Sequence, residues 1–237
     1  APGRSGADGK PGSPTVTAAA PGKYRTLPES CRAVPRPTLK DLLPGAADLS
    51  EEQQERVYGG TPAVTYDNDR KVGCRWKSEA PDASRNLSID FERVVSYDPA
   101  VSDDARADEV FTKQQDAALP DLADRSTGDA TPGSPSASSG STPPSGEADA
   151  DADGTGGDLR PRLLDHLGDA AFLDDVLTRA GSTAQHRTVS VVFRTSNVVV
   201  TIRYTEQPAS VTAVPDSKEL QEKAQALARK LSETLSA

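Results

Sequence analysis

The chain has 237 residues, enough for one sizeable domain or two small ones, yet only 35% are apolar and 4% aromatic, so part of it must lie outside any core. No run approaches the roughly 18 apolar residues of a membrane-crossing helix. The formal net charge of −9 is local: residues 1–22 carry +1, residues 120–158 carry −7, and the remaining 176 hold −3. A surface that close to neutral neither attracts nor strongly repels nucleic acid, and a nucleic-acid partner is not expected.

Residues 1–22 and 120–158 hold nine of the 19 prolines and 12 of the 18 glycines but none of the ten aromatic residues. Such stretches cannot bury enough surface to offset their ordering entropy. They are read as a disordered stalk (1–22) and a disordered, self-repelling acidic insert (120–158) within one discontinuous domain (23–119 and 159–237). The chain contains no methionine, which predicts that a natural leader, carrying a signal peptide or tether, precedes Ala1.

In chain order, Thr38 can cap a short helix through Leu39, Leu42 and Leu43, which Pro44 and Gly45 stop. Ser50 with Gln53 is a capping box for a second short helix ending near Gly59 and Gly60. The period then changes to two. Val72, Cys74 and Trp76 alternate with Lys71, Gly73, Arg75 and Lys77, and Leu87, Ile89, Phe91, Val95 and Tyr97 share one parity. A helix follows from about Ser102, with Val110, Phe111, Gln114 and Ala118 along one side. Beyond the insert, Leu163, Leu164, Leu167, Phe172, Leu173, Val176 and Leu177 have helical spacing interrupted at Gly168. Val189, Val191 and Phe193 alternate up to Ser196 and Asn197, and Val198, Val200, Ile202 and Tyr204 alternate back, as in a hairpin. Asp216 with Glu219 opens a final helix striped by Leu220, Ala224, Leu227, Leu231 and Leu235.

An isolated hairpin is marginally stable, so the two should share one sheet. The expected fold class is α+β: an antiparallel sheet of four or more strands with helices packed on one face.

Two cysteines, Cys31 and Cys74, stand 43 positions apart, and neither histidine has metal-ligand spacing to them. An even pair fits one disulfide in an oxidising compartment, the alternative being two buried free thiols. No metal or other cofactor is expected. Asp149, Asp151, Asp153 and Gly154 open like a calcium loop, but Gly156 and Arg160 fall where that loop needs an apolar residue and a bidentate glutamate. His166, beside Asp165 and Asp169, is a surface histidine rather than a base with its orienting carboxylate. No nucleophile elbow or phosphate loop exists, and no catalytic residue is assigned. Trp76 is a packing or binding residue beside the expected cystine, and Arg75, of opposite parity, faces water.

Cys31 with Cys74-Arg75-Trp76, the segment Leu167-Gly168-Asp169-Ala170-Ala171-Phe172, the hairpin around Asn197-Val198-Val199-Val200 and the alanine-rich last helix resemble a family of actinobacterial secreted lipoproteins. More distantly, they are similar to the extracytoplasmic sensor domains of mycobacterial serine/threonine kinases. The resemblance spans most of residues 24–119 and 160–237, and omits both the acidic insert and a second cystine of the sensor domains. It implies a cell-envelope domain without catalytic residues. The expectation is a monomeric, non-enzymatic binding or sensing module outside the cytoplasmic membrane, engaging an envelope protein or a small ligand. The alternatives are a regulatory lipoprotein contacting a membrane signalling kinase, and an envelope enzyme.

Overall fold

A computed structural model describes residues 17–122, 159–179 and 184–237. Seven strands form one antiparallel sheet in the order β1-β2-β3-β7-β6-β5-β4. They are β1 (Thr61–Pro62), β2 (Lys71–Glu79), β3 (Ala83–Arg93), β4 (Arg162–Leu164), β5 (Ala170–Thr178), β6 (His186–Thr195) and β7 (Val198–Pro208). The helices are α1 (Arg36–Leu42), α2 (Glu51–Gly59), α3 (Asp103–Ala118) and α4 (Ser217–Ser236). The first three strands and the last four are each a meander. They meet at the β3–β7 pair, where eleven residues of each strand are in register from Ala83↔Pro208 to Arg93↔Val198. The residues on either side of the acidic insert therefore share one sheet, and the α+β fold class is the one expected.

The main core lies on one face of this sheet. Trp76, Leu87, Ile89, Phe91, Leu173, Val191, Phe193, Val200, Ile202 and Tyr204 point to that side and are sealed by the Leu220, Ala224, Leu227 and Leu231 stripe of α4 and by Leu39 and Leu42 of α1. Two of the largest buried side chains in this core have polar partners: the Tyr204 hydroxyl donates to the Leu42 carbonyl at 2.5 Å, and the Trp76 indole donates to the Tyr58 carbonyl at 3.1 Å. Burial pushes the Tyr204 hydroxyl pKa far up, against the pull of the Arg85 charge, so it stays protonated as a donor.

The other face carries a smaller apolar cluster. Phe111 and Ala107 of α3 pack on Phe172, Val192 and Val199, and the Phe111 and Phe172 ring centroids lie 5.5 Å apart. Helices thus cover both faces, α3 alone on this one.

Several expectations are corrected. Residues 163–177 are not helical; they form β4, a turn and β5. Ala171 and Leu173 point to the α4 side while Phe172 points to the α3 side, so this part of the strand buries both faces and loses the period-two alternation. Its consecutive apolar residues then mimic helical spacing. Thr38 lies within α1 rather than at its start; Pro35 holds the N-cap position, and the buried Thr38 hydroxyl accepts from Lys230 Nζ at 2.8 Å. Strand β3 ends at Arg93, so Val95 and Tyr97 are not strand residues. The capping box at Ser50 and Gln53 and the cap at Asp216 are present as expected.

Both low-complexity boundaries also shift. Residues 120–122 remain helical, with Leu122 packed beside the α3 cluster; residues 123–158, including the calcium-loop-like run from Asp149, lie outside the described residues. At the other end, Gly22, the last residue assigned to the stalk, is buried, and its amide donates to Asp103 Oδ2 at 2.8 Å. A side chain at position 22 would place its Cβ 2.2 Å from Asn197 Cγ, so only glycine lets the segment lie this close. Asn197, wholly buried, pairs with both backbone groups of Tyr24 and donates to the Val94 carbonyl.

Candidate functional site

Cys31 and Cys74 form the disulfide, with their Cα atoms 5.1 Å apart. It ties the short 3-10 turn Ser30–Arg32 to β2, assisted by the Ser30 hydroxyl donating to the Gly73 carbonyl at 2.8 Å. Trp76 lies in the main core with Cys74, 2% exposed, and packs rather than lining a surface cleft with its ring. His166 is an exposed turn residue with φ of 59°, and its neighbour Asp169 is engaged elsewhere, accepting from the Ser196 amide at 2.6 Å. Among the described residues, no three His, Cys, Asp or Glu side chains group as metal ligands.

A large concave feature of the described residues is on the α3 side of the sheet. Alternation sends Lys71, Arg75 and Lys77 of β2, Ser88, Asp90 and Glu92 of β3, Thr201 and Arg203 of β7, Ser190 of β6 and Asp174 of β5 to this face. Helix α3 covers only one end of it. What remains is an open groove of about 890 Å³, walled by Gln114 and Ala118 of α3 and by the loop Ala63–Asp67.

That loop is held over β2 because Gly73 has no side chain. A Cβ there would stand 3.2 Å from the Ala63 Cβ and 2.4 Å from Asp90 Oδ1. The Ala63 amide instead donates to the Gly73 carbonyl at 2.9 Å, and the Thr65 hydroxyl donates to the Lys71 carbonyl at the same distance. Val64 and Tyr66 consequently project fully into solvent at the rim. Large apolar side chains held this far out of a fold are suited to contact something else.

The register aligns the polar residues in rungs. One runs Thr61, Arg75, Ser88, Arg203, Ser190, Asp174 across six strands. Seven arginines lie in strands of this sheet, and five have side-chain partners. Arg85 meets Glu206 at 3.1 Å, Arg187 meets Asp175 at 2.6 Å, Arg194 meets Asp108 at 3.4 Å, Arg93 donates to the Asp69 carbonyl, and Arg162 donates to Gln221. Arg75 and Arg203 are both exposed and have no hydrogen bond or ion pair to any of the described residues. At the far end of the rung, burial pushes the Asp174 carboxyl pKa upward; the Asp175 amide donating to it works against this, and the nearby Asp175 charge adds to it.

A second, shallower recess of about 540 Å³ adjoins the groove across the same two arginines. Its polar lining is Thr61, Lys77, Asn86, Ser88 and Thr205 with Arg75 and Arg203, and it contains no carboxylate. The groove beyond the rung is acidic, with Asp67, Asp90, Glu92 and Asp174 against Lys71. Charge is therefore separated along the face, with cations at one end and carboxylates at the other.

Sequence reading placed Arg75 in water and assigned no role to Arg203, Ser88 or Asp174. For Arg75, Ser88 and Arg203 the available signal was parity, each lying opposite the apolar set of its own strand; Asp174 had none, because β5 has lost its alternation. Their meeting in one rung depends on the β3–β7 pairing, which joins residues more than a hundred positions apart.

No family model, curated protein or solved structure matches the chain.

Proposed function

We propose that this chain is a non-enzymatic binding or sensing module that works outside the cytoplasmic membrane, with the groove on the α3 side of the sheet as its ligand-engaging surface. The observation that carries this reading is the pair of exposed arginines, without a partner among the described residues, between two adjoining recesses of one sheet face. Charged groups presented without partners on a rigid sheet offer directed interactions to an incoming molecule at little reorganisation cost. The Cys31–Cys74 disulfide supports the compartment in this reading, since such bonds persist in oxidising surroundings. No described helix is long and apolar enough to cross a membrane.

The test is an amide-shift screen of the full chain against a library of soluble envelope components. Binding should shift the amides of Lys71–Glu79, Ser88–Glu92 and Ser190–Arg203 and leave each component chemically unchanged. Turnover of a component, or shifts confined to the α4 side, would contradict the reading. A second reading, regulation of a membrane signalling kinase by contact, draws on the projecting Val64 and Tyr66 at the groove rim. In that case a Val64→Ser/Tyr66→Ser variant would lose capture of the kinase's extracellular domain and keep small-ligand shifts.

A further inference from the structure

We propose that the rung Arg75–Ser88–Arg203 is a phosphate site, which takes the phosphate or diphosphate group of a soluble small molecule whose remaining part is neutral or cationic. The inference rests on the binding-module reading and names the chemistry of its ligand.

Three observations converge on it. First, Arg75 and Arg203 flank Ser88 in one rung, two strand spacings or about 10 Å apart, so their side chains can bend toward each other above the serine hydroxyl. Two guanidinium forks around a hydroxyl supply the multiple donors that a tetrahedral oxyanion needs, and guanidinium matches phosphate geometry in a bidentate manner. Second, these are the two strand arginines with no partner among the described residues, whereas the other five are each held by a carboxylate, an amide or a carbonyl. Third, the recess on one side of the rung contains hydroxyls and amide groups from Thr61, Asn86 and Thr205 with Lys77, and no carboxylate to repel an anion.

The opposite side fixes the orientation. Asp90, on the next rung, and Asp174, two strands beyond Arg203, face the groove, so a second anionic group there would meet like charge. The phosphate therefore lies toward Thr61 and Thr205. The rest of the molecule extends toward the acidic groove, under Tyr66, where a neutral or positively charged moiety is accepted and a dianion with distant charges is excluded.

The experiment titrates the full chain with sodium pyrophosphate, inorganic phosphate and acetate at physiological ionic strength, following amide shifts and heats of binding. It is repeated on Arg75→Ser, Arg203→Ser, the double variant and Arg229→Ser, which removes the same charge from an exposed position of α4 on the opposite face. The expected result is that pyrophosphate shifts Arg75, Ser88, Ser190 and Arg203, with acetate much weaker. The double variant should bind at least about tenfold more weakly, and Arg229→Ser should stay within about twofold of the wild type. Equal loss in Arg229→Ser would mean diffuse attraction and would overturn the proposal. So would binding to vesicles of anionic phospholipid through these arginines when pyrophosphate does not bind. Pyrophosphate inert while a phosphate-free component shifts the same strands would remove the phosphate assignment and leave the binding module intact. If neither shifts them, both fall.

Discussion

The two faces of the sheet are built from the same strands, yet they bury different kinds of residue. On the α4 side, the inward positions of β2, β3, β6 and β7 are almost all apolar; α4 seals β6 and β7, and the segment from Ser30 to Gly59 covers β2. On the α3 side, apolar contact is limited to the end near Phe172, Val192 and Val199, and most other inward positions are charged or hydroxylated. The difference shows how one domain separates stability from recognition. A closed apolar face supplies the folding free energy, and the opposite face, relieved of that task, can present charges that a core would not tolerate.

The comparison predicts unequal responses to truncation. Leu227, wholly buried under the sheet, should be the most costly: Leu227→Ala should destabilise the fold by about 4 kcal/mol in urea unfolding, because transfer and cavity costs add there. Phe111→Ala, on the α3 side, should cost about 3 kcal/mol. It should also release α3 before the rest of the fold, seen as faster amide exchange in 103–118 with the β6–β7 strands still protected. If both substitutions unfold the chain in a single step of equal size, the two faces are not energetically distinct.

A smaller effect concerns pH. The amides of Gly22 and Ser96 donate to Asp103, each at 2.8 Å, and together with Arg93 and Arg25 they hold its carboxyl below the ordinary aspartate range against the cost of burial. Because the folded value lies below the unfolded one, this carboxylate stabilises the fold at neutral pH and stops doing so as pH falls through the folded value. Wild type should therefore be more stable than Asp103→Asn at about pH 6 and lose that advantage by about pH 2, as thermal unfolding would register. An advantage constant across that range would mean the segment at Gly22 is held by something else.

The smallest effect is expected at the rung itself. Arg75→Ser and Arg203→Ser remove exposed side chains that have no partner among the described residues and should change stability by less than about 0.5 kcal/mol while altering ligand binding. A larger loss would show that these arginines hold the fold together and would dissolve the division between the two faces.

Much of the architecture could be read from local pattern. Clean alternation marked β2, β3, β6 and β7, and caps at Ser50 and Asp216 marked two helix starts. Residues 163–177 misled because β5 is buried on both sides, which erases the alternation that identifies a strand. The site was less legible than the fold. Arg75 and Arg203 each look like an ordinary solvated residue on its own strand, and nothing local distinguishes them from Lys77 or Arg85.

The sequence by itself determined the disulfide pair, the α+β class and the stripe of α4, since each depends on short-range periodicity or on counting two cysteines. Tertiary structure alone decided which strands meet at the centre, which face α3 takes and which charges share a rung. Those outcomes rest on the β3–β7 register, and a one-residue slip there would send every side chain of one strand to the opposite face. Register between distant strands is selected by the simultaneous burial of both apolar faces, a property of the assembled sheet that no single segment carries.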